Sequence, residues 1–390
     1  MSAILTLNAG SSSIKFGLYD TAPEPVEELT GQVDALGSDA QMELQPKGAT
    51  LSRHALGPTD HASGVQAILA AIAPYRAGRA IAGVGHRVVH GGPDLAAPVR
   101  LDDAMIARLS ALIPLAPLHQ PHNLSAVHAA RAAFPDAVQV AAFDTAFHRG
   151  HPWVNDTFAL PRRYYARGVR RYGFHGLSYD YISGVLARDY PDLAAGRVVV
   201  AHLGNGASIC AMKAGRSVGS TMGFSALDGL PMGTRSGQLD PGVVLYLMDQ
   251  EGLNADQIMR LLYHESGLKG LSGISHDMRT LLAAHAVEAK QAIDYYVFRL
   301  AREIGAMAAV LGGIDALVFT GGIGEHAAPI RARALERLEF LGLSIAPEAN
   351  AKNAAQIGAG RVPVMVIPTD EERIIARATV AELGLRRGDS

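Results

Sequence analysis

The chain has 390 residues, which predicts roughly two or three domains. Its 35 Lys and Arg residues against 37 Asp and Glu residues give a formal net charge of -2, so composition offers no electrostatic case for a nucleic-acid or acidic-membrane partner. Apolar residues make up 48% of the chain and charged residues 18%, which excludes an intrinsically disordered protein.

Cysteine content and apolar runs predict a cytoplasmic protein. The single cysteine, Cys210, cannot form an intramolecular disulfide and is expected to be buried. The first residues lack the basic region and long apolar stretch of a signal peptide, and they alternate like a strand. The longest stretch without Asp, Glu, Lys or Arg, residues 109–130, is interrupted by prolines and histidines, so it would not span a bilayer as a helix.

The chain begins with a predicted strand, turn and strand. Residues 4–7 and 14–19 are the strands, and residues 8–13 between them are small, polar or hydroxyl-bearing. With the Lys15 amine, the backbone N–H groups and hydroxyls of this turn are suited to holding phosphate. A glycine and serine turn that only joins two strands is the alternative.

Three further candidates follow before the middle of the chain. Arg87 lies in a glycine-rich segment, and arginines in such segments more often bind oxyanions than cover surface. Asp144 follows the predicted strand 137–143, and a carboxylate at the C-terminal end of an α/β strand lies where ligands usually bind, although it could instead be a helix N-cap. His175 lies between two glycines, in the same kind of setting as Arg87.

The strand and turn pattern of the N-terminus returns half a chain later. Strand 197–203 enters the hairpin turn Gly204-Asn205-Gly206 and leaves through strand 207–212, with a third strand expected after the turn at 214–216. This repeat predicts two similar α/β lobes with a cleft between them and a hinge near residues 146–151. Arg235 follows in a second glycine-rich segment, comparable with that of Arg87.

The last third of the chain adds a long helix and two strands. A helix is predicted over 288–311, stopped by two glycines, and strands over 316–320 and 362–367. The glycine-rich loop 321–325 precedes a helix predicted over 328–338, so a ligand could approach its backbone, although it matches neither the Rossmann nor the P-loop pattern.

Two local patterns bear on a possible metal ligand and on a possible hydrolase function. Thr369 and Glu372 have the spacing of a capping box, which leaves Glu371 either as a metal-directed carboxylate or as a solvated first-turn acid. Residues 215–219 fit the G-x-S-x-G pattern of a hydrolase nucleophile elbow, but no helix is predicted after the serine. A hydrolase is therefore not favoured.

Taken together, these motifs resemble the acetate/propionate/butyrate kinase family, within the sugar kinase, Hsp70 and actin superfamily. The resemblance runs nearly end to end and occurs in the family's order. It is carried by residues 8–15, 86–92, 143–148, 172–176, 202–206, 232–237, 321–325 and 368–372.

The resemblance implies an α/β fold of two duplicated RNase H-like lobes, of the actin and Hsp70 type, with a cleft between them. Residues 1–147 and 373–390 would form the N-terminal lobe, and residues 148–372 the nucleotide-binding lobe. It further implies a homodimeric phosphotransferase that moves the γ-phosphoryl group of ATP reversibly to acetate, with Mg²⁺ or Mn²⁺, giving acetyl phosphate and ADP. Propionate or another short-chain carboxylate is the alternative acceptor.

The resemblance also implies roles for individual residues. Asn8 and Glu371 would serve the metal, and Asp144 would be the catalytic acid, while His175 and Arg235 stabilise the transition state. Arg87 would bind the substrate carboxylate beside Val89, Leu118 and Phe174. The residues expected to contact phosphate or nucleotide are Lys15, Ser12, His202, Leu203, Gly204, Asn205, Gly206, Asp277, Met278, Arg279, Gly322, Ile323, Gly324, Glu325 and His326.

Elementary chemistry qualifies one of these roles. A carboxylate acceptor is already ionised at pH 7, so no proton has to be removed from it, and Asp144 is better suited to positioning Mg²⁺ or orienting an arginine. Two anionic substrates repel each other, so cations such as Lys15, Arg87 and Arg235 are needed at the site. A nucleotide switch of the actin or Hsp70 kind, the alternative from another class, would not need them.

Three departures from the family pattern are visible. Met278 replaces an often aromatic or variable residue between Asp277 and Arg279, a change expected to have no consequence. His326 stands where relatives commonly have Asn, which changes one expected nucleotide contact. Ser225 and Ala226 stand where many acetate kinases have Thr-Pro beside the substrate pocket. Because a smaller residue widens a pocket, we expect measurable turnover of propionate.

Overall fold

The computed structural model describes residues 2–10 and 13–384. This part of the chain divides into two compact units, the first formed by the described residues up to 149 and by residues 370–384, the second by residues 150–369. Each unit contains one mixed sheet with helices, which confirms the predicted α/β class. Ser12 lies outside the described residues. Among the helices of the described chain, none combines the length and apolar character needed to cross a membrane.

The first unit is built on an eight-stranded sheet with the strand order β5-β4-β3-β2-β1-β6-β8-β7. Its strands are β1 (Ala3–Ala9), β2 (Ile14–Tyr19), β3 (Glu27–Asp34), β4 (Asp39–Pro46), β5 (Ser52–Pro58), β6 (Ile81–Val88), β7 (Val99–Arg100) and β8 (Val138–Phe143). Strands β1 to β5 pair antiparallel in succession, whereas β6 pairs parallel with β1 and β8 parallel with β6.

Helices cover both faces of this sheet. Successive side chains of a strand point to opposite faces, so an apolar strand has side chains to bury on each side. Helices α1 (His61–Arg76), α2 (Asp103–Ser110) and α3 (Gln120–Ala133) precede β8, and the C-terminal helix (Glu371–Glu382) returns to the same unit. On β1, Leu5 and Leu7 belong to the buried cluster that includes α1 and α3, whereas Ile4 packs with the C-terminal helix. The alternation of β1 therefore fixes a helix on each side of the central strand.

The second unit is built on a five-stranded sheet with the order β11-β10-β9-β12-β13. Its strands are β9 (Arg197–Leu203), β10 (Ala207–Lys213), β11 (Arg216–Ser220), β12 (Ala316–Thr320) and β13 (Val364–Val366). The run of two antiparallel and then two parallel pairings matches that of β3-β2-β1-β6-β8 in the first unit. The repeat predicted from sequence is thus a repeat of sheet topology.

Most helices of the chain belong to the second unit. They are α4 (Trp153–Asp156), α5 (Arg162–Ala166), α6 (Gly176–Asp189), α7 (Pro191–Ala194), α8 (Pro241–Asp249), α9 (Ala255–His264), α10 (Gly267–Ser272), α11 (Met278–Ala283), α12 (Val287–Leu311), α13 (Gly321–His326), α14 (Ala328–Leu335) and α15 (Pro347–Ala351). Short 3₁₀ helices occur at Ile113–Leu115, Ala146–His148 and Glu339–Leu341. Helix α12 ends at Leu311, and its C-cap Gly312 has a left-handed φ of 68°, which agrees with the predicted stop at two glycines.

Cys210 and the G-x-S-x-G segment behave as predicted. Cys210 lies on β10 with no exposed surface, and burial raises the pKa of its thiol to about 12. The segment around Ser217 forms β11 and is followed by irregular chain instead of a helix, so it is not a nucleophile elbow.

Three local predictions were wrong. Residues 321–325 form helix α13 instead of a loop, with only Gly321 at a left-handed φ of 75°. The last strand is shorter than predicted and contains only residues Val364–Val366. The helix predicted over 328–338 ends at Leu335. The glycines of 321–325 led to the loop prediction, and the other two differences are end positions, which local sequence patterns define least well.

The predicted capping box at the start of the C-terminal helix is also absent. Asp370, and not Thr369, is the N-cap, and its carboxylate accepts a hydrogen bond from the backbone N–H of Arg373 at 2.9 Å. The side chain of Glu372 accepts a hydrogen bond from Asn8 in addition to one from its own backbone. Both glutamates of the first turn therefore remain candidates for chemistry.

Candidate active site

Three polar side chains of the first unit lie where its central strands end. Asn8 is near the end of β1, Arg87 is the next-to-last residue of β6, and Asp144 directly follows β8. Because β1, β6 and β8 are parallel neighbours, their carboxyl ends share one edge of the sheet. Arg87 is therefore held by a strand and not by the glycine-rich loop expected from sequence.

Arg87 and Asp144 form a bidentate ion pair. Nε of Arg87 donates to Oδ1 of Asp144 at 2.8 Å, and Nη2 donates to Oδ2 at 2.6 Å. The Asp144 residue is 1% exposed and the Arg87 side chain 17% exposed, so the pair is shielded from water. Burial alone would lower the pKa of Arg87, but the carboxylate of Asp144 raises it above its usual range.

Asn8 connects this ion pair to the two glutamates of the C-terminal helix. Its Oδ1 accepts from Nη1 of Arg87 at 3.0 Å, and its Nδ2 donates to Glu372 at 3.1 Å and to Glu371 at 3.4 Å. Desolvation raises the pKa of Glu372, and the charge of Glu371 adds to the rise, while Lys15 opposes it. The negative charges of these two neighbouring carboxylates therefore repel each other, and a bound cation would relieve the repulsion.

Two of the predicted substrate-binding residues accompany Arg87 in the first unit. Val89 is 3% exposed, and its backbone N–H donates to Oδ1 of Asn123 at 2.9 Å. Asn123 also donates to the carbonyl of Ala9 at 2.6 Å, so one buried amide ties the ends of β1 and β6 together. Leu118 is partly buried on the segment before α3.

Phe174, the third apolar residue of the predicted substrate pocket, belongs to the second unit and is 2% exposed. It directly precedes His175, the residue at which α6 begins.

In the second unit, two histidines stack beside the hairpin turn between β9 and β10. The rings of His175 and His202 are 4.3 Å apart between centroids and 20° from parallel. His202 lies on β9 with its Nδ1 2.8 Å from Oγ of Ser178, while His175 is the N-cap of α6. His175 has a φ of 58°, a left-handed conformation that is uncommon for a residue with a side chain and is typical of functional sites.

Gly206 brings the turn against His175 and Arg235. A Cβ atom at Gly206 would lie 3.2 Å from Nε2 of His175 and 3.8 Å from Nη1 of Arg235. Nη1 of Arg235 also donates to the carbonyl of Ala226 at 3.2 Å, which holds the guanidinium in place. The imidazole and the guanidinium therefore face the same small space at the turn, a pairing suited to an oxyanion.

Gly204 and Asn205 of the same turn line a cavity of ≈ 530 Å³. Most of the residues predicted from sequence to contact nucleotide line it, namely Gly204, Asn205, Asp277, Met278, Arg279, Gly322, Ile323 and His326. At its rim Arg279 donates to Asp277, and that hydrogen bond lowers the pKa of Asp277 to about 2. The size and largely apolar walls of the cavity suit a ligand as large as a nucleoside.

Four other residues predicted to contact nucleotide do not line this cavity. Leu203 is fully buried, and Gly324 is buried in α13. Glu325 accepts hydrogen bonds from the backbone N–H groups of Gly321 at 2.8 Å and Thr369 at 3.3 Å, so its carboxylate ties α13 to the chain after β13. Lys15 is exposed on β2.

Sequence analysis missed several residues of this site. The cavity is also lined by His276, Leu282, Ala327 and Pro329, which no motif singled out. Glu372 was assigned to a helix cap, and Ser208 and Tyr179 were not considered although they contact each other beside His175. The available signal for Tyr179 was its i, i+4 spacing from His175, which becomes a contact because α6 begins directly after His175.

Comparisons with known proteins agree over almost the whole chain. The sequence model of the acetokinase family matches residues 3–377. The acetate kinase of Methylocella silvestris is 54% identical over 395 residues, which cover 97% of this chain and 98% of that protein.

Solved structures are similar over the same extent. The crystal structure of Porphyromonas gingivalis acetate kinase has a TM-score of 0.86 and 37% identity, covering 98% of this chain and 99% of that one. The crystal structure of a propionate kinase from Francisella tularensis subsp. tularensis SCHU S4 has a TM-score of 0.90 and 34% identity, covering 97% and 99%.

Proposed function

The chain belongs to the acetokinase family, and from that premise we propose that it transfers the γ-phosphoryl group of ATP reversibly to acetate, giving acetyl phosphate and ADP. It is then a phosphotransferase with a carboxyl group as acceptor. The observation that carries the proposal is the 54% identity to an acetate kinase over 97% of this chain. The chemical support for it is the Arg87 ion pair in the first unit and, in the second, Arg235 and the cavity at the hairpin turn.

We assign acetate to the guanidinium of Arg87. Of its five N–H groups, three donate to Asp144 and Asn8, which leaves two for a substrate carboxylate. Val89 and Leu118 supply apolar surface for the methyl group. Because the carboxylate of Asp144 engages both Nε and Nη2 of Arg87, its proposed role is to orient this arginine.

The nucleotide is assigned to the second unit. The cavity beside Asn205 would take the nucleoside, with its base between apolar side chains such as Met278 and Ile323. His175 and Arg235 face the turn that precedes β10 and would stabilise negative charge on the phosphoryl oxygens in the transition state. Lys15 is assigned to phosphate on the basis of its position after the first turn.

The acidic residues of the first unit fit Mg²⁺. Asn8, Glu371 and Glu372 offer the oxygen ligands that Mg²⁺ prefers, and the raised pKa of Glu372 marks a place where a cation would relieve repulsion. No group of three His, Cys, Asp or Glu residues in the described chain is arranged to hold a metal, which fits an ion that takes its other ligands from ATP and water. When bound, Mg²⁺ neutralises charge on the transferred phosphoryl group.

Trapping of the product tests the proposal. Hydroxylamine converts an acyl phosphate into a hydroxamate, so the chain with ATP, Mg²⁺ and acetate should yield acetohydroxamate. The series acetate, propionate and butyrate should show the highest kcat/KM for acetate and a measurable value for propionate. A propionate kinase, favoured by the structural similarity to the Francisella enzyme, would reverse the first two. ATP binding without hydroxamate from any of the three acids would indicate a nucleotide switch instead.

The proposed setting is the cytoplasm, and the proposed assembly is a homodimer. Helix α8 supports the dimer, because it has no buried residue and exposes a row of apolar side chains. They are Val243, Leu245, Tyr246 and Met248, each at least 40% exposed. Such a surface is typical of an interface.

A further inference from the structure

The irregular segment 229–238, called the Arg235 loop below, is closed at its base by a backbone hydrogen bond. The N–H of Gln238 donates to the carbonyl of Gly229 at 2.9 Å. Gly229 and Gly237 have left-handed φ values of 94° and 69°, and a Cβ atom at Gly237 would lie 2.7 Å from the carbonyl oxygen of Gly229. The two ends of the loop are therefore in close contact, and Arg235 lies between them in the chain.

A buried arginine of helix α12 contacts both ends of this loop. Nη2 of Arg299 donates to the carbonyl of Gly229 at 3.3 Å and to Oε1 of Gln238 at 3.0 Å. A guanidinium can only donate hydrogen bonds, and a carbonyl oxygen can only accept them, so chemistry fixes the direction of both. Arg299 thus joins the two residues at the base of the Arg235 loop to one helix.

Stability alone does not account for an arginine at this place in α12. Arg299 is 5% exposed, and the other buried residues of the helix are uncharged. Its Nε is buried without a hydrogen-bond partner in the described chain, and the carboxylate of Glu303 lies 3.7 Å from Nη2. A buried charge and an unpaired buried donor cost free energy that an apolar side chain would not.

We propose that Arg299 is a positioning residue for catalysis, which fixes the base of the Arg235 loop and thereby places the guanidinium of Arg235 at the phosphoryl group. The inference rests on the proposed function, in which Arg235 stabilises charge in the transition state. Such stabilisation requires a donor that is already in place when the charge develops. The loop has a second support at Gly233, whose N–H donates to the carbonyl of Asn205 at 3.2 Å, so loss of Arg299 should displace the loop without unfolding it.

Arg299→Met removes the guanidinium and keeps a long apolar side chain in its place. We expect kcat to fall at least about tenfold, because a displacement of about 1 Å at a catalytic group costs up to about a hundredfold. The KM values for ATP and acetate should change less than about threefold, since Arg235 is assigned to the transition state. Arg337→Met is the matched control, because it removes an exposed arginine that lies over Phe298 of the same helix, and it should leave kcat unchanged.

Gln238→Ala is a second variant that should fold normally, because Gln238 is exposed. It removes one of the two acceptors of Arg299, so kcat should fall by about threefold or more, in keeping with the loss of one hydrogen bond. The double variant should be no slower than Arg299→Met alone, because both changes break the same contact. A folded Arg299→Met variant with wild-type kcat, or fully additive effects of the two changes, would overturn the proposal.

Amide hydrogen exchange reports the state of the loop without any reaction. Mass spectrometry of peptides that cover residues 229–238 of the full chain should show exchange at least about tenfold faster in Arg299→Met than in the wild-type protein or Arg337→Met. Unchanged exchange would mean that Arg299 does not hold the loop. If the wild-type protein forms no acyl phosphate, the proposed function fails, while the exchange experiment still decides whether Arg299 fixes the Arg235 loop.

Discussion

The ion pair of Asp144 and Arg87 has a direct consequence for substrate binding. Because the carboxylate holds both Nε and Nη2, replacement of its charge by an amide frees the guanidinium to rotate. We expect Asp144→Asn to raise the KM for acetate by at least about tenfold, since loss of one partner of a buried charged pair costs about 2 kcal/mol or more. Steady-state kinetics at several Mg²⁺ concentrations and pH values measure this.

Asp94→Asn is the matched control for this variant, because it makes the same change in an exposed ion pair with Arg108. It should leave the kinetics unchanged. If Asp144→Asn raised only the Mg²⁺ requirement, the carboxylate would act on the metal, and if it changed only the pH profile, the residue would transfer a proton. Either result would contradict the orienting role.

Candidate site residues could be selected from the sequence where they lie on a strand or at its end. Asp144 and Arg87 could be found because strand ends and glycine-rich segments are local patterns. Glu372 could not, because its partner Asn8 is 364 residues away and the local spacing with Thr369 is typical of a capping box. A side chain that serves a distant neighbour leaves no signal in its own segment.

The exposed apolar side chains of helix α8 bear on the proposed dimer. Its residues 243–248 are all large and apolar, none of them is buried, and Leu245 is 66% exposed. If α8 forms the interface of the proposed dimer, Leu245→Glu should raise the dissociation constant at least about tenfold, because a buried interfacial charge without a partner costs well over 1 kcal/mol. Light scattering after gel filtration measures the mass over a dilution series.

Phe340→Glu is the control for that substitution, since Phe340 is 76% exposed on a 3₁₀ helix elsewhere in the same unit. It should leave the dissociation constant unchanged. An unaltered mass for Leu245→Glu at every concentration would remove α8 from the interface.

Elements were predicted well where side-chain periodicity and turn residues agree. The hairpin around Gly204-Asn205-Gly206 has alternating strands on either side of a glycine turn, and β9, β10 and α12 were found within about one residue of their ends. Helix α13 was missed because three of its six residues are glycine, which has low helix propensity. Its backbone is instead held by the Glu325 carboxylate and by packing on β9.

At the scale of the whole chain, the duplicated topology follows from sequence while the order of strands within each sheet does not. The pattern of strand, turn and strand predicts the repeat, but the edge at which Asn8, Arg87 and Asp144 meet is created by the pairing of β6 with β1 and with β8. Partners in these pairings, such as Ile4 with Gly83 and Gly83 with Val138, are far apart in the chain, and a single sequence has no periodic signal for such contacts.

Two buried histidines couple the stability of the folded chain to pH. His86 and His90 are 1% exposed or less, and burial lowers the pKa of His86 to about 4 and that of His90 to about 3. Nε2 of His86 donates to Oε1 of Gln139. Nδ1 of His86 has no hydrogen-bond partner in the described chain, so no acceptor there stabilises a second proton on the ring. The unfolded chain therefore binds protons near the ordinary pKa of 6.5 that the folded chain does not, so stability is full above pH 6.5 and is lost as pH falls toward 4.

His86→Gln keeps a donor for Gln139 and removes the titrating ring. Between pH 7 and pH 4.5 we expect this variant to lose about 2 kcal/mol less unfolding free energy than the wild-type chain, since that is the linkage contribution of a histidine with a pKa of about 4 in the folded state. Urea unfolding at the two pH values, followed by circular dichroism, measures the difference. His54→Gln changes an exposed histidine of the same unit and should follow the wild-type curve. Parallel loss of stability in His86→Gln and the wild-type chain would mean that the acid sensitivity arises from other groups.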